Sequence, residues 1–174
     1  MLTGVTDLRI LGPEDWKLWR GLRLAALAEA PHAFGSRLAD WQGEGDREER
    51  WRERVDLAGS HNVVAVLDGE PVGMATGVPG SDSSAELISM WVAPSARGRG
   101  VGDALVHEVE RWARESGARV LRLDVAEDNA AAQALYERHG FALTGELGDL
   151  MADGVRRERV MAKELLAPDL PGAC

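Results

Sequence analysis

The stretch that decides the fold runs from Ala85 to Trp112 and reads AELISMWVAPSARGRGVGDALVHEVERW. Its first part, Glu86 to Val92, is almost continuously apolar and predicts a strand, which Pro94 ends. The helix at its other end is predicted by apolar residues that recur on one helical face, namely Val101, Leu105, Val109 and Trp112. A glycine-rich turn, Arg97 to Gly102, joins the strand to the helix.

This turn has the chemistry of an anion site. The first turn of a helix presents backbone N–H groups that have no partner inside the helix, and these groups attract negative charge. Glycine lets an anion approach the backbone closely, because it has no Cβ. Arg97 and Arg99 add forked donors that match phosphate oxygens. The sequence therefore predicts a phosphate or pyrophosphate cradle, although such a turn can also serve only to connect a strand to a helix.

Two common phosphate motifs do not fit the turn. A P-loop ends in Gly-Lys-Ser/Thr, whereas this turn ends in Val-Gly-Asp at positions 101–103. A dinucleotide-binding fingerprint counted from Gly98 requires a third glycine at the position of Asp103. The pattern that does fit is Arg/Gln-x-x-Gly-x-Gly/Ala, filled by Arg97, Gly100 and Gly102.

Composition narrows the class of protein and its partners. The chain has 174 residues, enough for one domain with a sizeable core. Its net charge of −9 argues against nucleic acid as a partner and favours a cationic acceptor such as an amine. No apolar run approaches the ~20 residues needed to cross a membrane. The N-terminus lacks the features of a signal peptide, and the only cysteine is Cys174, so a cytoplasmic location is expected.

The remaining elements predict one α/β domain over residues 1–174, with a core of about 8–166 and a mobile tail. Their order is strand, two helices, three strands, helix, strand, helix and two strands. The first helix follows Pro13 and buries the face that carries Trp16, Trp19, Ala26 and Leu27. Three local features are also predicted: an N-cap at Asp46, a hairpin turn at Asp68-Gly69 and bulges at Gly73 and Gly77.

The loop pattern and this order of elements resemble the GCN5-related N-acetyltransferases, the GNAT superfamily, from about Leu8 to Leu166. A second segment is similar to the family's later acetyl-CoA motif and reads Leu123-x-Val125-x-x-x-Asn129-x-x-Ala132-x-x-Leu135-Tyr136-x-x-x-Gly140-Phe141. The resemblance implies a mixed sheet of about seven strands, splayed in the middle and flanked by about four helices. It also implies that acetyl-CoA is the co-substrate. No cluster of histidine, cysteine and carboxylate has metal-ligand spacing, so no metal is expected.

The same resemblance assigns the residues that would bind acetyl-CoA. Backbone groups of Met90, Trp91 and Val92 would bind the pantetheine arm and the acetyl carbonyl, in a gap opened by a bulge in this strand. The pyrophosphate would lie on backbone N–H groups of Arg97, Gly98, Arg99, Gly100, Val101 and Gly102. Asn129 would hydrogen-bond the pantetheine, and Ala132 would leave room for it.

Two residues are the catalytic candidates. Tyr136 corresponds to the family's usual general acid near the CoA sulfur, and a phenol with an ordinary pKa of about 10 can supply a proton at neutral pH; the alternative is a core tyrosine. Glu86 has the spacing of the general base in some members, and in a regular strand it shares one face with Ile88 and Met90. The alternatives to Glu86 are a merely solvated or ion-paired carboxylate, Asp124 as the base, and a water relay.

Acceptor recognition is expected in the segment after the first helix. Phe34 and Trp41 are candidates to line the acceptor pocket, and His32 is a candidate substrate ligand. We expect an N-acetyltransferase that acts on a primary amine of a small molecule. The alternatives are a protein or peptide N-acetyltransferase and a non-catalytic acyl-CoA-binding module. No membrane partner is expected, and the resemblance makes a homodimer a candidate assembly.

Overall fold

The computed structural model describes Gly4 and residues 6–165, so the predicted tail and Cys174 lie outside the described residues. Its strands are β1 (Thr6–Leu11), β2 (His61–Leu67), β3 (Glu70–Pro79), β4 (Ser84–Val92), β5 (Val120–Ala126), β6 (Ala142–Leu150) and β7 (Arg157–Glu164). Its α-helices are α1 (Trp16–Glu29), α2 (Glu48–Val55), α3 (Val101–Glu115) and α4 (Ala130–Arg138). The strands form one sheet in the order β1-β2-β3-β4-β5-β7-β6, which confirms the predicted fold class.

The sheet is antiparallel except between β4 and β5, which are parallel. That parallel pairing is short and joins Ser84–Leu87 to Val120–Leu123. Both strands continue beyond this pairing, and β4 reaches Val92. The two strands therefore separate in the middle of the sheet, as predicted, and the separated part of β4 has one edge without a strand partner among the described residues.

A bulge in β4 coincides with this separation. Across the β3–β4 pair, Ile88 lies opposite Thr76 and Trp91 lies opposite Met74, so β4 holds one extra residue between them. Ser89 takes a φ of 54°, which is rare for a residue other than glycine. The extra residue reverses the alternation of side chains along the strand.

This reversal makes one prediction wrong. Glu86, Ile88 and Met90 do not share a face, because the bulge at Ser89 lies between Ile88 and Met90. Met90 instead packs with Leu87 against the apolar cluster under α3. Glu86 stays on the opposite face of the sheet, the face that α1 and α2 approach.

Two apolar clusters hold the helices on the two faces of the sheet. On one face α3 buries Leu105 and Val109 against strand residues such as Ala75. On the other face α1 and α2 bury Trp19 and Trp51, and the strand residues of this cluster come from β1 to β4. The face of β5, β7 and β6 on that side therefore contributes nothing to the cluster under α1 and α2.

Gly73 and Gly77 serve close packing. A register shift in the β2–β3 pair places one extra β3 residue between Pro71 and Gly73, so the bulge predicted at Gly73 is present beside it, whereas the pairing at Gly77 is regular. A Cβ on Gly77 would lie 2.4 Å from the Trp112 ring, and one on Gly73 would lie 3.1 Å from the Leu105 side chain. These glycines therefore let α3 approach β3 more closely than any side chain would permit.

Gly77→Ala is expected to destabilise the protein by about 1–3 kcal/mol, because the added methyl overpacks the contact with Trp112. Thermal unfolding measures the effect. Trp112→Ala supplies the control: in that background Gly77→Ala should cost much less. An equal cost in both backgrounds would contradict the packing explanation.

The structure also tests two turn predictions. Asp68 and Gly69 have φ of 53° and 84°, as the predicted tight hairpin between β2 and β3 requires. Asp46 is not the N-cap of α2, whose cap is Arg47 without a side-chain hydrogen bond. Asp46 instead accepts hydrogen bonds from Arg20 and from Trp51 Nε1, which hold the pKa of its carboxyl at about 2 and tie α1 to α2.

Two searches of the described part of the chain give negative results. None of its helices is long and apolar enough to cross a membrane. Within residues 6–165, no three histidine, cysteine or carboxylate side chains come together as the ligands of a metal ion would.

Candidate active site

A cleft of about 1630 Å³ opens where β4 and β5 separate. It runs from the glycine-rich turn before α3, past the free edge of β4, to the wall formed by α1 and Phe34. Pockets for one drug-sized ligand are typically ~300–1,000 Å³. The cleft therefore has room for two substrates bound together.

The glycine-rich turn forms one end of the cleft and fits a pyrophosphate. Gly98 and Gly100 have φ of 73° and 80°, which favour glycine, and a Cβ on either would meet no atom within 4 Å. Gly100 is the N-cap of α3, and its carbonyl accepts from the N–H of Ala104. Within the described residues no hydrogen bond is made by the backbone N–H groups of residues 98–103, so these groups are available as the donors that the sequence predicts.

Gly102 has a different local role. A Cβ there would lie 3.2 Å from Leu135 and 3.7 Å from Met90. The missing side chain lets the first turn of α3 pack against α4 and β4. Gly102 thus brings the anion site close to the strand edge that the acetyl group is predicted to follow.

The two arginines of the turn are already paired with carboxylates. Arg97 Nη2 lies 2.8 Å from Glu29 Oε2 at the end of α1, and Arg99 Nη2 lies 3.4 Å from Asp68 Oδ2. Glu29 also accepts from Trp91 Nε1, and the bonds from Trp91 and then Arg97 lower the pKa of its carboxyl. Arg97 therefore anchors α1 to β4, and the neighbouring carboxylates offset part of the positive charge predicted for the cradle.

Tyr136 on α4 places its side chain in the lining of the cleft, and only 6% of the residue is exposed. Its ring meets Phe141 edge to face at 5.9 Å. Among the described residues, no hydrogen bond reaches its hydroxyl. Burial raises the pKa of the phenol above its ordinary value, so the group stays protonated at neutral pH. The hydroxyl is therefore a proton donor without a protein partner.

The start of α4 brings two further predicted residues to the cleft. Asn129 is the N-cap of α4, and its Oδ1 accepts from the N–H of Ala132 at 3.2 Å. This bond fixes the side chain and leaves its amide N–H₂ without a partner among the described residues. Ala132 itself is small and also lines the cleft. The predicted hydrogen-bond donor and the predicted space for a ligand thus lie one helical turn apart.

Glu86 and Asp124 both line the cleft. Glu86 is exposed, lies opposite Arg122 in the register of β4 and β5, and has no ion pair among the described residues. Asp124 alternates away from Leu123, which packs under α3, and this same alternation turns Asp124 towards the cleft. Asp124, the alternative base, therefore reaches the site together with Glu86.

Sequence reasoning missed an acidic floor around Asp124. Burial and then Asp149 raise the pKa of Asp124, and burial and then Asp124 raise the pKa of Glu158. These carboxylates come from β5, β6 and β7 and all line the cleft. They lie far apart in sequence, so only the strand pairing reveals that they meet.

The structure places two of the three predicted acceptor residues in the cleft lining. Phe34 is buried and lines the cleft, and exposed His32 also lines it. Trp41 does not, and that prediction is wrong. Its ring stacks on Trp51 of α2 at 4.6 Å and lies under Arg50, outside the cleft.

Arg23 is a second residue that sequence reasoning missed. Its guanidinium lies over the Phe34 ring at 4.7 Å, lines the cleft, and is only 9% exposed. Its Nη1 is buried without a hydrogen-bond partner among the described residues. The signal was present in the sequence, because Arg23 lies four residues after Trp19, on the inward stripe of α1.

Comparison with known proteins agrees with this geometry. The model of the acetyltransferase (GNAT) family matches residues 24–141. Aminoglycoside N(6')-acetyltransferase type 1 of Salmonella enteritidis is 30% identical over 146 residues, which cover 79% of this chain and 92% of the relative.

Two solved structures extend the likeness to the whole fold. A GCN5-related N-acetyltransferase from Kribbella flavida has a TM-score of 0.73 at 27% identity and covers 92% of this chain and 98% of its own. Ribosomal-protein-alanine N-acetyltransferase from Brucella melitensis has a TM-score of 0.69 at 27% identity, with coverages of 91% and 99%. The chain belongs to the acetyltransferase (GNAT) family and is an acetyl-CoA-dependent N-acetyltransferase.

Proposed function

We propose that this enzyme transfers the acetyl group of acetyl-CoA to a primary amine of a small molecule, by direct attack of the amine on the thioester. The observation that carries the proposal is the single cleft that joins the glycine-rich turn to the α1 wall through the gap between β4 and β5. One substrate can enter from each side of this gap. The reacting groups then meet at the gap itself.

A small acceptor is favoured because bonds bridge two residues of the cleft lining, His32 and Asp128. Arg37 Nη2 donates to the carbonyl of Ala152 at 2.6 Å, which ties the segment after α1 to the turn between β6 and β7. Arg156 in that turn pairs with Asp128 at 2.9 Å and also reaches the carbonyl of His32 at 3.5 Å. These bonds hold the two segments together on the acceptor side, where an extended peptide would need a continuous open groove.

The residues of this chain have distinct roles in the proposed reaction. Acetyl-CoA supplies an acetyl thioester when it is bound. Backbone N–H groups of the turn hold its pyrophosphate, Asn129 holds its pantetheine arm, and N–H groups on the free edge of β4 stabilise negative charge on the acetyl oxygen. Tyr136 gives its proton to the departing sulfur, because a thiolate leaves more readily when it is protonated.

Glu86 is our proposed general base for the ammonium of the acceptor. In the wild-type enzyme kcat/KM is expected to rise with pH as the general base loses its proton. Glu86→Gln is expected to remove this rising limb, because glutamine cannot accept the proton. The matched variant is Asp124→Asn, on the neighbouring strand. Loss of the limb in Asp124→Asn alone would assign the base to Asp124, and its persistence in both variants would point to a water relay.

A protein acceptor is the second candidate, since one solved relative is named a ribosomal-protein-alanine N-acetyltransferase. The two candidates are separated by kcat/KM values for small primary amines and for short peptides with a free N-terminus. We expect the small amines to be the better substrates, because the bonded segments on the acceptor side leave less room for an extended chain. Peptides that exceed every small amine would contradict the proposal.

The homodimer stays a prediction, and the outer edge of the sheet is our candidate for its interface. Three leucines are about half exposed along the edge strand β6, namely Leu143, Leu147 and Leu150. An apolar edge strand of this kind is suited to pairing with a second chain.

A further inference from the structure

One wall of the cleft holds a buried cation that no charge of the described residues neutralises. Arg23 is 9% exposed, stacks on Phe34 and has no carboxylate within ion-pair distance among the described residues. Burial, and then the nearby Arg54, lower the pKa of its guanidinium to about 10, so it is still charged at neutral pH. A buried charge without a partner is costly, and proteins usually pair it.

Arg54 does not supply that pairing and adds a second positive charge. Within the described part of the chain its guanidinium donates only to neutral oxygens, namely Asn62 Oδ1 at 3.4 Å, Thr76 Oγ1 at 3.3 Å and Ser89 Oγ at 2.9 Å. Of these partners, Ser89 is the bulge residue that also lines the cleft. The wall beside the bulge is therefore positive, and of its two cations Arg23 is the one that lines the cleft.

The floor has the opposite sign. Asp124, Asp149 and Glu158 line the cleft on the part of the sheet face, formed by β5, β7 and β6, that α1 and α2 do not cover. Arg122 of β5 also lines the cleft but is paired with Glu146, so the unpaired charges of the described floor residues are negative. An acceptor that lies between floor and wall thus meets negative charge on one side and a free guanidinium on the other. An ammonium group matches the floor, and a carboxylate matches the forked donors of Arg23.

We propose that the acceptor is an amine that also carries a carboxylate, and that Arg23 binds this carboxylate while the amine lies over the acidic floor. This inference rests on the proposed function and narrows it to amino-acid-like acceptors. Arg23 is a specificity residue here, and it takes no part in proton transfer.

The test is the ratio of kcat/KM for free α-amino acids to kcat/KM for the matching carboxamides, with aminoglycosides as cationic acceptors that lack a carboxylate. The wild-type enzyme is expected to prefer the free acid by about 10- to 100-fold, the value of one charge-assisted pair. Arg23→Met should bring the ratio close to one through KM, and Arg23→Lys should retain part of it. Arg50→Met is the control, because Arg50 also stacks on an aromatic ring but lies outside the cleft.

A second measurement does not depend on the acceptor. Arg23→Met is expected to raise the Tm of the free enzyme, because it removes an uncompensated buried charge. A lower Tm would show that the guanidinium is a structural partner and would overturn the inference. Equal rates for acids and carboxamides, best acceptors without a carboxylate, or a weaker acetyl-CoA Kd in Arg23→Met would also overturn it. If no amine of any kind is acetylated while acetyl-CoA binds, the proposed function itself fails.

Discussion

Tyr136→Phe is expected to lower kcat by about 10²–10⁴-fold and to leave the Kd of acetyl-CoA nearly unchanged. The phenol is the only side-chain donor on α4 that is buried in the cleft lining and kept protonated by its surroundings. Phenylalanine keeps the ring contact with Phe141 and removes only the hydroxyl group that would give the proton. The measurement is steady-state thiol release, with acetyl-CoA binding followed by calorimetry.

The stability of the same variant separates catalysis from structure. Because no described residue bonds the Tyr136 hydroxyl, its removal leaves no broken protein hydrogen bond, and the Tm should stay the same or rise. Unchanged turnover would remove the general-acid role. A large fall in Tm together with lost turnover would instead indicate a structural tyrosine.

Gly100→Val is expected to raise the Kd of acetyl-CoA by about 100-fold or more. The new side chain would occupy the open space over the turn, which the pyrophosphate needs, and each lost charge-assisted hydrogen bond is worth about 1.5–3 kcal/mol. Since about 1.4 kcal/mol corresponds to a tenfold change in Kd, two lost bonds account for the expected effect. Calorimetric titration with CoA measures it.

Gly117→Val is the matched control at the other end of the same helix. Gly117 has a φ of 81°, almost the same as the 80° of Gly100, and a Cβ there also meets no atom within 4 Å. Both variants therefore carry a similar backbone strain of about 1–3 kcal/mol. Only Gly100→Val should lose CoA affinity, and equal Kd values in the two variants would show that the pyrophosphate binds elsewhere.

The sequence predicted the parts of the fold that local chemistry determines. Strand, turn and helix from Ala85 to Trp112 follow from apolar periodicity and glycine, and the tight turn at Asp68 follows from a residue pair that tolerates positive φ. The separation of β4 and β5 came from the resemblance to the family. The face to which each β4 side chain points could not be predicted. One extra residue at Ser89 reverses the alternation of side chains, and nothing in the local sequence pattern marks that residue.

Long-range pairing determines what the sequence could not show. Asp124, Asp149 and Glu158 meet only because β5, β7 and β6 are neighbours in the sheet. Trp41 looked like a pocket residue because its loop is polar, but the ring has a better partner in Trp51, on a helix that starts seven residues later. Arg23 is a different case: its place on the inward stripe of α1 was visible in the sequence, but a charged residue there is usually assumed to reach solvent along its aliphatic stem.

We propose that acetyl-CoA and a small amine meet in the cleft between β4 and β5, where the acetyl group passes to the amine. The most direct test is thiol release from acetyl-CoA with a panel of amino acids, polyamines, aminoglycosides and short peptides, with mass spectrometry of the products. We expect at least one small primary amine to stimulate release and to become acetylated on nitrogen, and we expect Tyr136→Phe to suppress both signals together. Tight acetyl-CoA binding with no acetylated product from any member of the panel would contradict it.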